Sequence, residues 1–316
     1  MRHIKRLKII LVGAAWLAGS CSPAVYKEGI GDFSKSVEKA SLTFNTLRAQ
    51  EEEATAEIDG PVIRRGPTSN LVVNTDCELG KPEICGLFYK GAAFPQEKSG
   101  PNTAKLMKLL SSYAKGLATI ANSKDADAVN EAANKVSAAL GSLAKAVSKN
   151  SDKLSANVDF VEGAFKWLFG VYVDQKRVNT LAQAITTADP LIKSTGTVLA
   201  AQLPTFVKII MNNKKARLDH GLELLDGNLA QLKKGGKNAP ASADILKLIQ
   251  ALASESRSLR ALAATTPVIA VDKMVEAHAA LEKALTDGAT DFDVVFARIS
   301  EFADQIEKLG KALKSP

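Results

Sequence analysis

The sequence has few aromatic residues and almost no histidine. Of its 316 residues, 5% are aromatic and three are histidine, whereas 46% are hydrophobic and 24% charged. The sparse aromatics and abundant alanine argue against a β-sandwich, and the hydrophobic fraction is too high for a chain that is disordered throughout. The composition therefore favours a protein of packed helices, long enough to bury a sizeable core.

The sequence also lacks the motifs of the common enzyme chemistries. It contains no Gly-x-Ser-x-Gly, no Gly-x-x-x-x-Gly-Lys-Ser/Thr, no Gly-x-Gly-x-x-Gly and no His-Glu-x-x-His. Neither His220 nor His278 has a glutamate three residues before it, so the Glu-x-x-His pattern of a di-iron bundle is missing as well. We expect both histidines at the surface, no catalytic site, no metal and no cofactor. A hydrolase that works through two carboxylates would need no such motif, so an enzyme on a helical frame stays open.

The first twenty residues have the pattern of an export signal. A basic stretch comes first and is followed by the apolar residues 9–18, which are too few to cross a bilayer as a helix. The basic residues are Arg2, Lys5, Arg6 and Lys8. Removing these four leaves 37 basic residues against 34 acidic ones, a net charge of +3. A partner made of nucleic acid then loses its main electrostatic support.

Residues 17–21 read Leu-Ala-Gly-Ser-Cys and resemble a bacterial lipobox, although leucine is more usual where Ala18 stands. The resemblance implies that residues 1–20 are removed and that Cys21 is diacylated, carries acyl chains such as palmitate, and becomes the N-terminus. Several acyl chains together hold a protein firmly on a membrane. Ser22 stands where an aspartate would favour the inner membrane of a diderm bacterium, so the outer membrane is expected. The alternative is an ordinary secretory signal cleaved near Ser20.

The two remaining cysteines, Cys77 and Cys85, lie eight positions apart around Gly80 and Pro82. An exported compartment is oxidising, so we expect a disulfide that closes this short loop. A redox or metal site is the alternative, but the spacing is not Cys-x-x-Cys and no histidine lies nearby. Residues 60–101 are rich in proline and contain short β-leaning stretches, which predicts a small disulfide-stapled β-hairpin or an irregular insertion.

The rest of the chain has the three- and four-residue apolar spacing of helices. That spacing predicts helices over residues 32–57, 103–149, 151–188, 191–234, 241–264, 267–285 and 291–313. Residues 122–125 either interrupt the second of these or form a polar turn within it, and Pro190 is expected to break or kink the chain. About seven helices with short connections predict an all-α, elongated antiparallel bundle, and the many alanines on the apolar faces favour closely approaching helices or coiled-coil hairpins.

Two segments are unusually apolar, residues 158–173 and residues 196–211. The first holds five of the sixteen aromatic residues that follow position 20, namely Phe160, Phe165, Trp167, Phe169 and Tyr172. Each segment is shorter than a membrane-spanning helix. They are interpreted as the two most buried helices of the bundle, or else as an amphipathic face for a membrane, a lipid or a partner helix.

Together these features predict a signal peptide over residues 1–20, a lipidated tether over 21–31 and a helical bundle domain over 32–316. The expected protein is anchored by lipid in the cell envelope and faces the periplasm, where it binds or scaffolds an envelope protein without catalysis. A membrane-active or lipid-binding protein that uses residues 158–173 and 196–211 is the main alternative. The enzyme on a helical frame is the third.

Overall fold

The fold was analysed in a computed structural model, which describes residues 23–65, 71–74, 86–89, 92–94, 102–148, 174–235, 240–287 and 292–314. The predicted all-α class is confirmed. The described residues form seven helices: α1 (Pro23–Arg65), α2 (Asn102–Asn122), α3 (Ala126–Ser148), α4 (Asp174–Lys234), α5 (Ser242–Ala263), α6 (Pro267–Thr286) and α7 (Phe292–Lys314).

Helix α1 is longer than predicted at both ends. It starts at Pro23, so most of the predicted tether is helical, and it continues past Gly60 into the predicted insertion. Proline is well tolerated in the first turn of a helix because its missing N–H would have no intrahelical partner there. Tyr26 and Ile30 extend the apolar stripe toward the start of the helix, and both are fully buried.

Helices α2 and α3 form an antiparallel hairpin with a three-residue turn, so the stretch 103–149 is two helices and not one. The turn is held locally, because the carboxylate of Asp125 accepts a hydrogen bond of 2.9 Å from the backbone N–H of Asp127 at the start of α3. Gly116 permits the close approach of the two helices, since a Cβ atom there would lie 2.3 Å from a methyl group of Val136.

The predicted break at Pro190 is wrong. Helix α4 runs for 61 residues, about 90 Å of helical rise, with Pro190 and Pro204 both inside it. Both prolines are exposed, so water can reach the carbonyl groups that they leave without an intrahelical donor. The buried neighbours Ala188 and Leu191 keep the same apolar stripe on either side of Pro190. Packing of the continuous stripe therefore outweighs the local cost of the proline.

Three short strands lie within the predicted insertion: β1 (Leu71–Asn74), β2 (Gly86–Tyr89) and β3 (Ala92–Phe94). They pair in the order β1-β2-β3, and both pairs are antiparallel. Leu71 lies opposite Tyr89 in the first pair, and Leu87 lies opposite Phe94 in the second. Cys77 and Cys85 lie outside the described residues, so their disulfide stays a prediction.

The body of the bundle comprises α1, α2, α3, α6, α7 and the first two thirds of α4, residues 174–211. Its core is continuous and contains large side chains that are almost completely buried, among them Tyr26, Phe33, Phe44, Tyr113, Phe206 and Phe302. Helices α1 and α7 are parallel, as shown by contacts from Lys39 to Glu307 and from Gln50 to the carbonyl of Leu313.

Beyond residue 211, α4 leaves the body and pairs with α5 as an antiparallel hairpin. We call residues 214–234 and 242–257 the hairpin arm. Only Gly221 and Ile245 are buried within these two described stretches. A Cβ atom on Gly221 would lie 2.4 Å from Leu252, and Lys214 contacts Glu255 at 3.3 Å, so the two helices are closely packed along the arm.

Candidate functional site

Three of the sites predicted from the sequence lie outside the described part of the chain. This holds for the lipidation candidate Cys21, for the pair Cys77 and Cys85, and for the aromatic segment with Phe160, Phe165, Trp167, Phe169 and Tyr172. The lipidation, the disulfide and the aromatic face therefore stay predictions.

The second apolar segment, residues 196–211, is described and belongs to α4. Its apolar side faces the core, where Leu199, Leu203, Phe206 and Ile210 are at most 3% exposed. Gly196 also lies against α6, since a Cβ atom there would approach Val275 to 2.7 Å. Of the two interpretations offered for this segment, the structure agrees with the buried helix.

A buried polar chain of ionisable side chains joins α2, α4 and α6. The hydroxyl of Tyr113 lies 2.9 Å from Nε2 of His278, and Nδ1 of His278 lies 3.5 Å from Oδ1 of Asp189. The other carboxylate oxygen of Asp189 contacts Nζ of Lys193 at 2.6 Å. The His278 side chain is 0% exposed, whereas that of Lys193 is 56% exposed, so the chain runs from the core to the surface.

The environment shifts the pKa values of two members of this buried polar chain, Tyr113 and Asp189. Burial raises the pKa of the Tyr113 hydroxyl well above its ordinary value, and the charges of Asp189 and Glu282 add to this effect. Burial also acts to raise the pKa of Asp189, but contacts with His278 and Lys193 outweigh it and hold that pKa below its ordinary value. The tyrosine is therefore neutral and the carboxylate ionised at neutral pH, which leaves a hydroxyl donor on one side of the imidazole and an anion on the other.

The prediction that His278 lies at the surface is wrong, whereas His220 is exposed as predicted. A signal for burial was present in the sequence. His278 is four residues from Met274 and three from Leu281, which puts it on the apolar stripe of α6. The ring of Phe33 on α1 also lies 5.8 Å from the imidazole, so four helices meet at this histidine.

The buried polar chain has the residue types of a catalytic relay, but a substrate has no access to it. Tyr113 and His278 are at most 1% exposed, so a substrate cannot reach the hydroxyl or the imidazole without opening the bundle. What the arrangement can do is fix the relative positions of the helices, because the Tyr113–His278 contact and the His278–Asp189 pair form only when all three helices are in register.

A cleft of about 640 Å³ lies between α2 and α3. Small residues such as Gly116, Ala132 and Ala139 line it. Glu131 at its rim pairs with Lys135 at 2.6 Å, and this contact lowers the pKa of the glutamate. Among the described lining residues Glu131 is the only carboxylate, so the cleft offers no acid and base pair from this part of the chain.

The hairpin arm differs from the body in its surface. Five of the eight large apolar side chains that are prominently exposed in the described residues lie on it: Leu222, Leu224, Leu232, Leu246 and Ile249. Their exposed fractions range from 40% to 55%. A concentration of exposed apolar side chains marks an interaction surface more often than single scattered ones do.

Two further features are absent from the described residues. No group of three or more His, Cys, Asp or Glu side chains is gathered there as metal ligands are. None of the helices in the described ranges combines the length and apolarity needed to cross a membrane.

Comparisons with known proteins gave no match. No protein-family model matches it, and neither the curated proteins nor the solved structures include a match. The function therefore has to be argued from the sequence and the geometry.

Proposed function

We propose that this protein is a lipid-anchored scaffold of a bacterial cell envelope, which binds a partner without catalysing a reaction. Residues 1–20 act as its signal peptide, and acylated Cys21 holds it on the outer membrane, facing the periplasm. The helical bundle carries the hairpin arm as its binding surface, and the partner is an envelope protein, not a nucleic acid.

The observation that carries this proposal is the division of α4 between the body and the arm. In the body α4 contributes to a dense core, with Leu199 and Leu203 completely buried. In the arm the same helix exposes Leu222, Leu224 and Leu232. A helix of 61 residues that is anchored over more than half its length and exposed at its end is suited to present a surface at a distance from the body.

The same geometry gives a scaffold more support than an enzyme. The ionisable cluster of Tyr113, Asp189 and His278 is buried, and the α2–α3 cleft presents small side chains with one paired carboxylate. Lipid handling through residues 196–211 has less support, since the apolar side of that segment is occupied by the core.

A disulfide between Cys77 and Cys85 fits the same setting. The strands β1 and β2 pair on either side of these cysteines, with Asn74 opposite Gly86. A bond that closes such a short loop contributes about 2–3 kcal/mol on the chain-entropy model, mainly to local stability.

Intact-mass measurement on the full chain produced in its own host tests the anchor. We expect the wild-type protein to lack residues 1–20, to gain the mass of one diacylglycerol and one further acyl chain, and to fractionate with membranes. The Cys21→Ala variant should lose both the added mass and the membrane fraction. Cys77→Ala is the matched control, because it removes a cysteine and should leave lipidation intact.

An unacylated wild-type protein would remove the basis of the proposed localisation. A pull-down from the same cells tests the rest of the proposal. Recovery of a specific envelope protein supports the scaffold, whereas turnover of an envelope substrate by the purified protein would replace the scaffold with an enzyme.

A further inference from the structure

The outer part of the hairpin arm has a face of mixed apolar and charged residues without a partner among the described residues. On α4, residues 222, 226, 229 and 233 are spaced by four, three and four positions and so share one face. This face carries Leu222 and the half-buried Leu229 together with Asp226 and Lys233. On α5, Leu246 and Ile249 are 55% and 44% exposed.

The charges on this part of α4 are arranged symmetrically about Leu229. Asp226 lies three residues before it and Lys233 four residues after it, while Glu223 lies six before and Lys234 five after. All four charged residues are exposed, and the Glu223 side chain is 82% exposed. Each acidic position is therefore matched by a basic one at nearly the same distance on the other side of Leu229.

Such a pattern is self-complementary in an antiparallel pairing. A twofold axis near Leu229 would bring Lys233 of one copy against Asp226 of the other on this face, and the same contact would form twice. Lys234 and Glu223 lie about 100° further round the helix, at the edge of the face, and also come opposite each other. The pairing also joins two helical hairpins into a four-helix arrangement, which is the usual way for such hairpins to bury apolar stripes.

We propose that the hairpin arm binds the arm of a second copy of this chain, antiparallel and about a twofold axis near Leu229. The charges select this occupant, because a surface with acidic and basic residues at mirrored positions matches itself better than it matches an anionic membrane. The exposed leucines supply the apolar contact, and the charges set the direction and register of the pairing. This inference deepens the proposed function, because the second copy is then the envelope protein that the arm binds, and the pairing does not depend on acylation of Cys21.

The test uses the full chain, expressed in its host with two different epitope tags. A photo-crosslinking residue replaces Leu246, which lies near the level of Gly227 because Leu252 contacts Gly221 in the antiparallel hairpin. The matched control position is Leu42, which is 64% exposed but lies on α1 in the body. We expect crosslinks between differently tagged copies from position 246 and at least tenfold fewer from position 42.

Charge reversal then tests the register. The variant K233E/K234E and the variant E223K/D226K should each lose crosslinking between copies by at least tenfold, since like charges face one another in either homodimer. When the two variants are produced together, crosslinks between them should return to the wild-type yield, because every facing pair is again of opposite sign. All four positions are exposed, so the variants should accumulate and fold as the wild type does.

Several results would overturn this proposal. Equal crosslinking from positions 246 and 42, or none between copies, rules out the second copy as the occupant. Crosslinks from position 246 to lipid or to a different protein assign the face to that partner instead. A dimer whose crosslinking yield is unchanged in the charge variants rules out the antiparallel register. A protein that is correctly acylated yet shows any of these results leaves the proposed anchor intact, so the two proposals fail separately.

Discussion

The body and the hairpin arm are built from the same kind of amphipathic helix, yet they differ in what each helix covers. In the body, a helix such as α6 packs against three others, and its central residue His278 is completely buried. In the arm, α4 and α5 are each other's main neighbour, with a contact of 3.6 Å from Arg217 to Glu53 of α1 near the base, and α5 buries only Ile245 before residue 258. The difference shows that an apolar stripe becomes core only when enough neighbours surround it, and that a stripe with one neighbour remains available for binding.

The largest expected effect is in the body at His278. Replacing it with alanine leaves a cavity and removes the partner of the Tyr113 hydroxyl, so we expect a loss of about 3–4 kcal/mol in the free energy of unfolding. The loss is measured by urea denaturation with circular dichroism as the readout. His220→Ala, at an exposed position, should change stability by no more than about 0.5 kcal/mol.

A double variant separates the polar chain from simple packing. If the cost comes from unpaired polar groups, then Tyr113→Phe combined with His278→Leu should lose less stability than the two single variants do in sum. The hydroxyl and the imidazole that face each other are then removed together, and Asp189 keeps its contact with Lys193. Strictly additive losses would show that the hydrogen bond contributes little.

The same substitution, glycine to alanine, can be made at a contact between two helices in the body and in the arm. Gly116→Ala in the body should destabilise by about 1–2 kcal/mol, because the new methyl group meets the buried, β-branched Val136 at 2.3 Å. Gly221→Ala in the arm meets Leu252 at 2.4 Å, but that side chain is half-exposed and free to turn. Since alanine also favours the helix, the arm variant should be neutral or slightly stabilising. If both variants lose the same free energy of unfolding in chemical denaturation, then the arm is as rigid as the body.

The smallest effect expected is in the response to acid. The pKa of Asp189 is lowered in the folded protein, so its contribution to stability is complete above the unfolded pKa of about 3.9 and is lost as the pH falls through the lower folded value. Asp189→Asn should therefore lower stability by about 1 kcal/mol at neutral pH and make less difference below about pH 4. Denaturation at a series of pH values measures this.

A surface carboxylate is the control for the acid response. Lys311 and Lys39 lower the pKa of Glu307 to about 2, but its side chain is 47% exposed, and Glu307→Gln should alter the acid response less than Asp189→Asn does. A larger change at Glu307 would contradict the special role given to the buried chain.

The helices were predictable from the sequence because their apolar spacing is regular, and the start of α6 at Pro267 follows the usual preference for proline in the first turn. Pro190 misled the prediction because its local cost is visible in the sequence, whereas the buried stripe on both sides acts through tertiary packing. The burial of His278 was readable from its place on the stripe of α6. Its contacts with Tyr113 and Asp189 could not be predicted in this way, because these residues lie 165 and 89 positions away in the chain.

The central claim is that the body is stable by itself, whereas the arm is stabilised by binding a second copy. Hydrogen–deuterium exchange on the full chain, at low and at high protein concentration, tests it most directly. We predict slow exchange around His278 at both concentrations. Amides of residues 214–234 should exchange rapidly in dilute protein and at least tenfold more slowly in concentrated protein, and K233E/K234E should abolish that slowing. An arm as protected as the body at every concentration would contradict the account, and so would an arm that exchanges rapidly at both.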